Sequence, residues 1–217
     1  MYAPQILFVF TVFYFKETLG HGMMLEPPNR SSLWRYYPID NELVIANYVD
    51  NQNFCGGYSE QWNQFGGKCG VCGDPYDEAH PQDNENTGKY GKFGPVRNYT
   101  AGETINITIL LTANHLGHFE YSICNLEDPS KPESGEKCFQ PLVLADGSDR
   151  YDVSSTDHYV YNEVKLPNDL TCERCVLRWH YSAGNNWGWC NASKTYGQLG
   201  CGPQETFRSC SDIQITA

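Results

Sequence analysis

The sequence is poor in positive charge. Lys and Arg together number 15 against 26 Asp and Glu, which gives a formal net charge of −11 at pH 7. Such an excess of negative charge repels phosphate backbones and anionic lipid headgroups, so it argues against nucleic-acid and membrane partners. A neutral polymer such as a polysaccharide is not disfavoured by this charge.

Long hydrophobic runs are also missing, apart from one near the amino terminus. The run "ILFVFTVFYF" at residues 6–15 is too short to span a bilayer and is typical of a secretory signal peptide. Thr18 and Gly20 are small enough for the −3 and −1 sites of a signal peptidase. We therefore predict a signal peptide over residues 1–20 and a secreted, extracellular, soluble mature chain of residues 21–217.

Internal repeats and low-complexity linkers are absent, so residues 21–217 are expected to form one domain. All ten cysteines lie in this part, and an even number in a secreted chain predicts disulfides, with connectivity left open. The spacings Cys69/Cys72 and Cys172/Cys175 also suit zinc, an alternative that an oxidising compartment disfavours. Sequons for glycosylation occur at Asn29, Asn98, Asn106 and Asn191.

Alternating apolar residues predict strands in the second half of the chain. Ile105, Ile107 and Ile109 recur with the period of two of a half-buried strand. Further strands are predicted at residues 118–124, 158–166, 175–181 and 212–216. Short strands joined by Gly- and Pro-rich loops indicate an all-β fold, an immunoglobulin- or fibronectin-like antiparallel β-sandwich with disulfide-rich loops and a few short helices.

Two regions before the strands are interpreted separately. The stretch "NELVIANYV" at residues 41–49 predicts a short helix with Asn41 as its N-cap. The turn-rich and cysteine-rich residues 21–100 are expected to pack on one end of the sandwich.

Cleavage after Gly20 would make His21 the first residue of the mature chain. Its α-amine and imidazole, with reference pKa values of about 8 and about 6.5, could then close a chelate ring on one metal ion. One further imidazole would complete a T-shaped set of three neutral nitrogen donors, which favours copper. His115 and His118 are both candidates, and the residue pattern leaves the choice between them open. His80, His158 and His180 are interpreted as structural.

Five segments resemble the lytic polysaccharide monooxygenases, in particular the animal branch known as auxiliary activity family fifteen. They are "HGMMLEPPNRSSLWR", "CGVCGD", "TANHLGHFEYSIC", "CVLRWHYSAGNNWGWC" and "GCGPQETFRSCSDIQI", and together they run through nearly all of the mature chain. The combination of a histidine after the signal peptide with "TANH" and "GPQETF", in that order, is the specific part of the resemblance.

The resemblance implies a copper site known as a histidine brace. One copper ion, cycling between Cu(II) and Cu(I), would be held by the amine and side chain of His21 and by the side chain of His115, which the "TANH" context selects over His118. Phe207 falls on the axial position, where an apolar ring cannot ligate. Ala113 matches the small residue near the opposite axial side. The polar group near a bound oxygen species falls on Gln204 and Glu205.

The activity implied by the resemblance is oxidative cleavage of glycosidic bonds in crystalline chitin first and cellulose second. An external electron donor and hydrogen peroxide or dioxygen would be required, and the enzyme is expected to be a monomer. Candidates for contact with the polymer are Trp34, Tyr36 and Tyr37. Because large aromatic side chains usually bury, Trp34, Trp187 and Trp189 are nevertheless interpreted first as core or loop anchors.

Hydrolysis is disfavoured, since no pair of carboxylates stands out as a glycosidase dyad. Two other classes of protein remain open. One is a non-catalytic chitin- or cellulose-binding module, and the other is an extracellular copper carrier on the same scaffold. Release of oxidised oligosaccharides that depends on a reductant would separate the enzyme from both.

Overall fold

The computed structural model describes residues 21–217, so the predicted signal peptide over residues 1–20 lies outside the described residues. The described strands are β1 (His21–Glu26), β2 (Arg97–Thr100), β3 (Thr104–Ala113), β4 (His118–Asn125), β5 (Gln140–Leu144), β6 (Tyr151–Asp152), β7 (Tyr159–Lys165), β8 (Cys172–Ser182), β9 (Trp187–Trp189), β10 (Gly197–Leu199) and β11 (Thr206–Thr216). Helical turns are few and short: two 3-10 helices at Arg30–Arg35 and Glu136–Cys138, and a π-helical turn at Ser59–Gln64. Within the described chain, no helix is long and apolar enough to cross a membrane.

Nine of these strands form one curled sheet that closes into a sandwich. The strand order is β1-β3-β7-β5-β4-β8-β11-β2, with β6 added to β4, and β9 and β10 form a separate hairpin. Strand β5 pairs with both β7 and β4, so it joins the two layers. Every pairing is antiparallel except that of β2 with β11, which is parallel. The predicted β-sandwich is therefore confirmed, with one parallel edge pair that was not expected.

The core lies between the two layers. Ile105, Ile107 and Ile109 are all buried, whereas Asn106 between them is exposed, which confirms the predicted period of two. The facing layer contributes Leu177, Trp179 and Tyr181 from β8, and all of them are fully buried.

Strand β8 is buried on both faces, because the cysteine-rich loops cover its outer side. Val176 and Cys210 belong to a second apolar cluster with Val71 and Cys72. The cysteine-rich segment therefore covers the outer face of β8 and β11. The expectation that it packs on one end of the sandwich was wrong, because this segment also supplies partners to buried outward side chains: Arg178 donates to the Val71 carbonyl at 3.3 Å and Arg208 to the Gly70 carbonyl at 3.0 Å.

All ten cysteines form disulfides, as predicted. The pairs are Cys55–Cys69, Cys72–Cys210, Cys124–Cys138, Cys172–Cys175 and Cys190–Cys201. Cys69 and Cys72 bond to different partners, so the zinc-like spacing does not form a joint site. No cysteine of the described chain is free.

The helix predicted over residues 41–49 was wrong, because this segment forms turns. Asn41 accepts a hydrogen bond from the Leu43 amide at 3.0 Å, so its side chain closes a local turn and does not cap a helix. Of the apolar residues in the segment only Val44 is buried, whereas Leu43 and Ile45 are exposed. A short helix without a buried face lacks the packing that would stabilise it.

The fold buries the asparagine of one of the four glycosylation sequons. The Asn29 side chain is buried, and its amide donates to the Met24 carbonyl and to the Ser32 hydroxyl. The other three asparagines, Asn98, Asn106 and Asn191, are exposed. Glycosylation therefore stays a prediction for these three positions only.

A buried arginine joins β11 to three loops. The Arg30 guanidinium makes two hydrogen bonds to the Asp212 carboxylate at 2.9 and 2.7 Å and a third to Glu133 at 2.7 Å. Burial alone would raise the pKa of Asp212, but the charges and hydrogen bonds of Arg30 and Arg174 together outweigh burial and lower that pKa. The network is therefore a fully paired set of buried charges.

We predict that Arg30→Ala lowers the free energy of unfolding by about 3–5 kcal/mol, because it leaves two buried carboxylates without their main partner. The control is Arg150→Ala, whose pair with Asp152 at 3.0 Å is largely exposed and should contribute less than about 1 kcal/mol. Guanidinium unfolding with intact disulfides measures both. Equal losses in the two variants would contradict the importance of the buried pair.

Candidate metal centre

His21 is placed by the edge strand β1. The antiparallel pairing with β3 sets His21 opposite Ala113, the last residue of β3. The chain then turns through residues 114–117 into β4, with left-handed backbone at Leu116 and Gly117. A side chain at Gly117 would overlap the Ser182 carbonyl, so glycine is required there. This connection between β3 and β4 carries His115.

Backbone and side-chain hydrogen bonds fix His115. Its amide donates to the Tyr181 hydroxyl at 3.1 Å, and that hydroxyl donates to the Leu116 carbonyl at 2.7 Å. The Gly184 amide donates to the His115 carbonyl at 2.8 Å. These bonds hold both ends of the turn against β8, which orients the His115 ring.

One ring nitrogen of His115 is already engaged by the protein. Its Nδ1 lies 2.7 Å from the side-chain amide of Asn185 and 3.8 Å from Glu205 Oε2. The side-chain nitrogen Nδ2 of Asn185 faces Nδ1, and exchange of its amide oxygen and nitrogen would let Asn185 accept the Nδ1 proton, a contact typical of the outer partners of metal-bound histidines. Nε2 is then the nitrogen that remains as an electron-pair donor.

The two histidines influence each other electrostatically. Burial, and after it the proximity of His21, lowers the pKa of His115 below the usual value. At neutral pH the His115 ring is therefore held in the neutral form, which is the form that binds metals.

The strand that carries His21 lies very close to the core. A Cβ at Gly22 would stand 2.9 Å from Leu111 Cδ2 and 3.0 Å from Trp179 Cη2, so a larger residue would push β1 away. The Gly22 amide also donates to the Asn51 carbonyl at 3.2 Å. This close approach holds His21 over the end of the sandwich.

Phe207 forms an apolar wall beside His21. It is fully buried on β11, with its ring centroid 6.4 Å from the His21 imidazole and 5.7 Å from the Tyr181 ring. A phenyl ring has no electron pair to donate to a metal. The structure thus brings together five residues of the predicted site: His21, His115, Ala113, Phe207 and Glu205.

Gln204 holds the backbone that follows Asn185, the residue in contact with His115. Its buried amide accepts from the Asn186 amide at 3.0 Å and donates to the carbonyls of Asn186 at 3.0 Å and Cys201 at 2.8 Å. All of these bonds go to the backbone, so Gln204 clamps the two ends of residues 186–201 together. Glu205, the other polar candidate, is buried beside His115.

Tyr36 and Tyr37 are not brought close to the histidines. Burial, and then the charge of Glu26, raises the pKa of Tyr36, and Tyr37 bonds to Arg97, the ion-pair partner of Glu26. Glu26 ends β1, five residues after His21, so the two tyrosines are grouped around the other end of that strand, and their contact with the polymer stays a prediction.

Trp34 is anchored by neighbouring side chains, whereas Trp187 and Trp189 are exposed. The indole of Trp34 donates to Asp50 at 3.2 Å and meets the Tyr48 ring edge-on at 5.0 Å, which is an anchoring role. In contrast, Trp187 and Trp189 are exposed by 56% and 42%, so of the two expected roles, core or loop anchor, the core role was wrong for them. They lie on the β9–β10 hairpin, where no second layer covers them.

The edge strand of this β-sandwich begins with His21, which lies beside a second, neutral histidine, His115. This arrangement defines a candidate metalloprotein. The sequence profile described as lytic polysaccharide mono-oxygenase, cellulose-degrading, matches residues 21–213. The chain therefore belongs to the lytic polysaccharide monooxygenase family. No curated protein sequence matches it significantly.

Two solved structures are similar to this chain, one in sequence and fold and the other in fold alone. The AA15 lytic polysaccharide monooxygenase from Thermobia domestica in the Cu(I) state is 41% identical, with a TM-score of 0.83 over 90% of this chain and 98% of that one. This match confirms the resemblance to family fifteen. The cellulose-active CelS2 in complex with copper is 14% identical, with a TM-score of 0.50 over 89% of this chain and 98% of that one, and it shows the fold alone.

We predict that Gln204→Ala loosens the segment beside His115. Loss of the clamp leaves backbone groups of Asn186 and Cys201 without a partner, at a cost of about 1–3 kcal/mol. Amide hydrogen exchange in residues 186–201 should accelerate about ten- to hundredfold, with little change in the main sheet. The matched control is Gln198→Ala on exposed β10, and equal exchange in both variants would argue against the clamp.

Proposed function

We propose that the protein is a secreted copper-dependent polysaccharide monooxygenase whose copper is held by His21 and His115. The observation that carries this proposal is the proximity of the two imidazoles at one end of a sandwich of this family. The solved neighbour in the Cu(I) state, which is 41% identical, supports the choice of metal.

The donor set fits copper when the amino terminus is included. Among residues 21–217 no group of three or more His, Cys, Asp or Glu side chains is placed to hold a metal ion. Two imidazoles therefore need a third donor, which the α-amine of His21 supplies after cleavage of the signal peptide. Three neutral nitrogens suit copper, which binds most tightly among the divalent ions of its row.

Each surrounding residue then has a role that follows from its place. Copper supplies the redox chemistry, in which an external electron donor and hydrogen peroxide or dioxygen lead to oxidation of a sugar C–H bond. Phe207 keeps water and other donors away from one side of His21, and Ala113 leaves space near the opposite side. Asn185 fixes the ring of His115 through Nδ1. Glu205 places a carboxylate next to that ring.

The proposed substrate is crystalline chitin, with cellulose second. The net charge of −11 does not oppose a neutral polymer. Similarity to the animal branch supports chitin, whereas the description of the family as cellulose-degrading keeps cellulose as the second candidate. Mass spectrometry of the soluble oligosaccharides released from each polymer, with and without reductant, decides between them.

Secretion is part of the same proposal. Residues 1–20 act as the signal peptide, and residues 21–217 form the single catalytic domain, which works as a monomer. The five disulfides support an oxidising, extracellular location.

We predict that His115→Ala weakens Cu(II) binding at least about a hundredfold, more than the loss of an outer partner would, because it removes a direct ligand. Release of oxidised oligosaccharides should be lost with it. The matched control is His118→Ala, since His118 lies three residues away at the start of β4, where its ring faces Glu120 at 4.0 Å. Calorimetric copper titration measures the first effect, and unchanged affinity in His115→Ala would contradict the proposed ligand set.

We further predict that the secreted protein begins at His21 and that one extra residue before His21 abolishes tight copper binding. The extra residue converts the α-amine into a peptide nitrogen, which is a poor donor at neutral pH. Intact-mass analysis and copper titration of both forms provide the measurement. A mature chain that begins at Met23, or equal affinity in the extended form, would refute the amine as a ligand.

The same experiments separate the enzyme from its alternatives. Tight copper uptake without oxidised products would indicate a copper carrier. Binding to the polymer without copper uptake would indicate a non-catalytic binding module.

A further inference from the structure

The β9–β10 hairpin exposes two of the five tryptophans of the chain. Besides Trp187 and Trp189, it exposes Tyr196 and Leu199, by 56% and 65%. Large aromatic rings are rarely left in water, and a cluster of them on a surface marks an interaction site. We propose that this tryptophan hairpin, residues 187–199, docks the polysaccharide beside the His21–His115 pair. The inference rests on the proposed function and adds the surface that binds the substrate.

The two indole rings lie on one face of the hairpin. Trp187 and Trp189 are two residues apart on β9, with ring centroids 5.0 Å apart and planes at 71°. A Cβ at Gly197 would stand 2.9 Å from Trp187 Cη2, so glycine allows the indole to lie across β10. The rings form a corner, in which one indole faces the apolar side of a sugar ring and the other contacts its edge.

The hairpin is rigid before any ligand arrives. Its ends are joined by the Cys190–Cys201 disulfide and by the Gln204 clamp. A side chain at Gly188 would overlap the Cys201 carbonyl, so the two backbones are in direct contact. A preformed surface avoids the entropic cost of ordering a loop on binding.

The hairpin is continuous with the candidate copper site. Asn185, which contacts His115 Nδ1 at 2.7 Å, is only two residues before Trp187. Two extended residues span about 7 Å, so a polymer resting on the hairpin lies next to the histidine pair. This continuity favours the substrate of the enzyme as the occupant over a second copy of the chain.

The charge of the hairpin also suits a neutral carbohydrate. In a chain of net charge −11, residues 185–203 contain a single charged side chain, that of Lys194. The remaining polar groups are amides and hydroxyls, such as those of Asn191 and Tyr196, which exchange hydrogen bonds with sugar hydroxyls. The segment thus combines apolar ring faces with uncharged hydrogen-bonding groups.

The test measures binding of copper-free protein to microcrystalline chitin and cellulose by depletion isotherms. We expect Trp187→Ala and Trp189→Ala each to weaken binding about tenfold, and the double variant to weaken it further. Trp187→Phe, which keeps a ring face, should retain most of the binding. The control is Tyr161→Ala, because Tyr161 is 74% exposed on β7 and lies outside the hairpin.

Each outcome distinguishes this inference from the proposed function. Unchanged polymer binding in the double variant, with copper uptake and polymer oxidation intact, overturns the inference and leaves the proposed function standing. Absence of copper uptake by the parent protein overturns the proposed function instead. A parent dimer that the double variant dissociates, with polymer binding unchanged, assigns the hairpin to self-association. If alanine unfolds the hairpin, Trp187→Gln keeps a longer side chain than alanine but no ring face, and it must still weaken binding.

Discussion

The register of β1 on β3 is the constraint on which the candidate site depends. It sets His21 opposite Ala113, directly before the turn that carries His115. Because side chains alternate along a strand, a slip of one residue would turn His21 to the other face of the sheet. Two contacts oppose such a slip: the Thr112 hydroxyl donates to the His21 carbonyl at 3.3 Å, and Gly22 fits against the core only as glycine.

The facing layer completes the site through one pair of residues in register. Phe207 on β11 lies opposite Tyr181 on β8. The Tyr181 hydroxyl accepts a hydrogen bond from the His115 amide, and the Phe207 ring packs beside His21. This one cross-strand pair therefore contacts both histidines. On its outer face the same strand β11 carries Asp212, which Arg30 fixes from the cysteine-rich region. The buried charges thus support a site to which they contribute no ligand.

Sequence reasoning succeeded where the signal is local and failed where it depends on distant contacts. The isoleucines of β3 revealed a strand because burial on one face imposes a period of two. The segment at residues 41–49 has similar apolar content but no surface to pack against, and Trp187 and Trp189 are exposed because no layer covers their hairpin. The disulfide partners and the clamp formed by Gln204 join residues far apart in sequence, which composition and spacing do not encode. The choice of His115 came from the resemblance, and the turn at Leu116 and Gly117 gives it a physical reason.

Maturation and metal binding are coupled in the proposed site, and the coupling follows from the number of donors. The fold brings two imidazoles together, but side chains of residues 21–217 provide no third ligand. Before cleavage the nitrogen of His21 belongs to a peptide bond, whose electron pair is delocalised into the carbonyl and is not available to a metal at neutral pH. Cleavage converts this nitrogen into an amine and completes the chelate ring without any change in the fold. In the proposed site, copper would therefore be held tightly only once cleavage before His21 has freed this nitrogen.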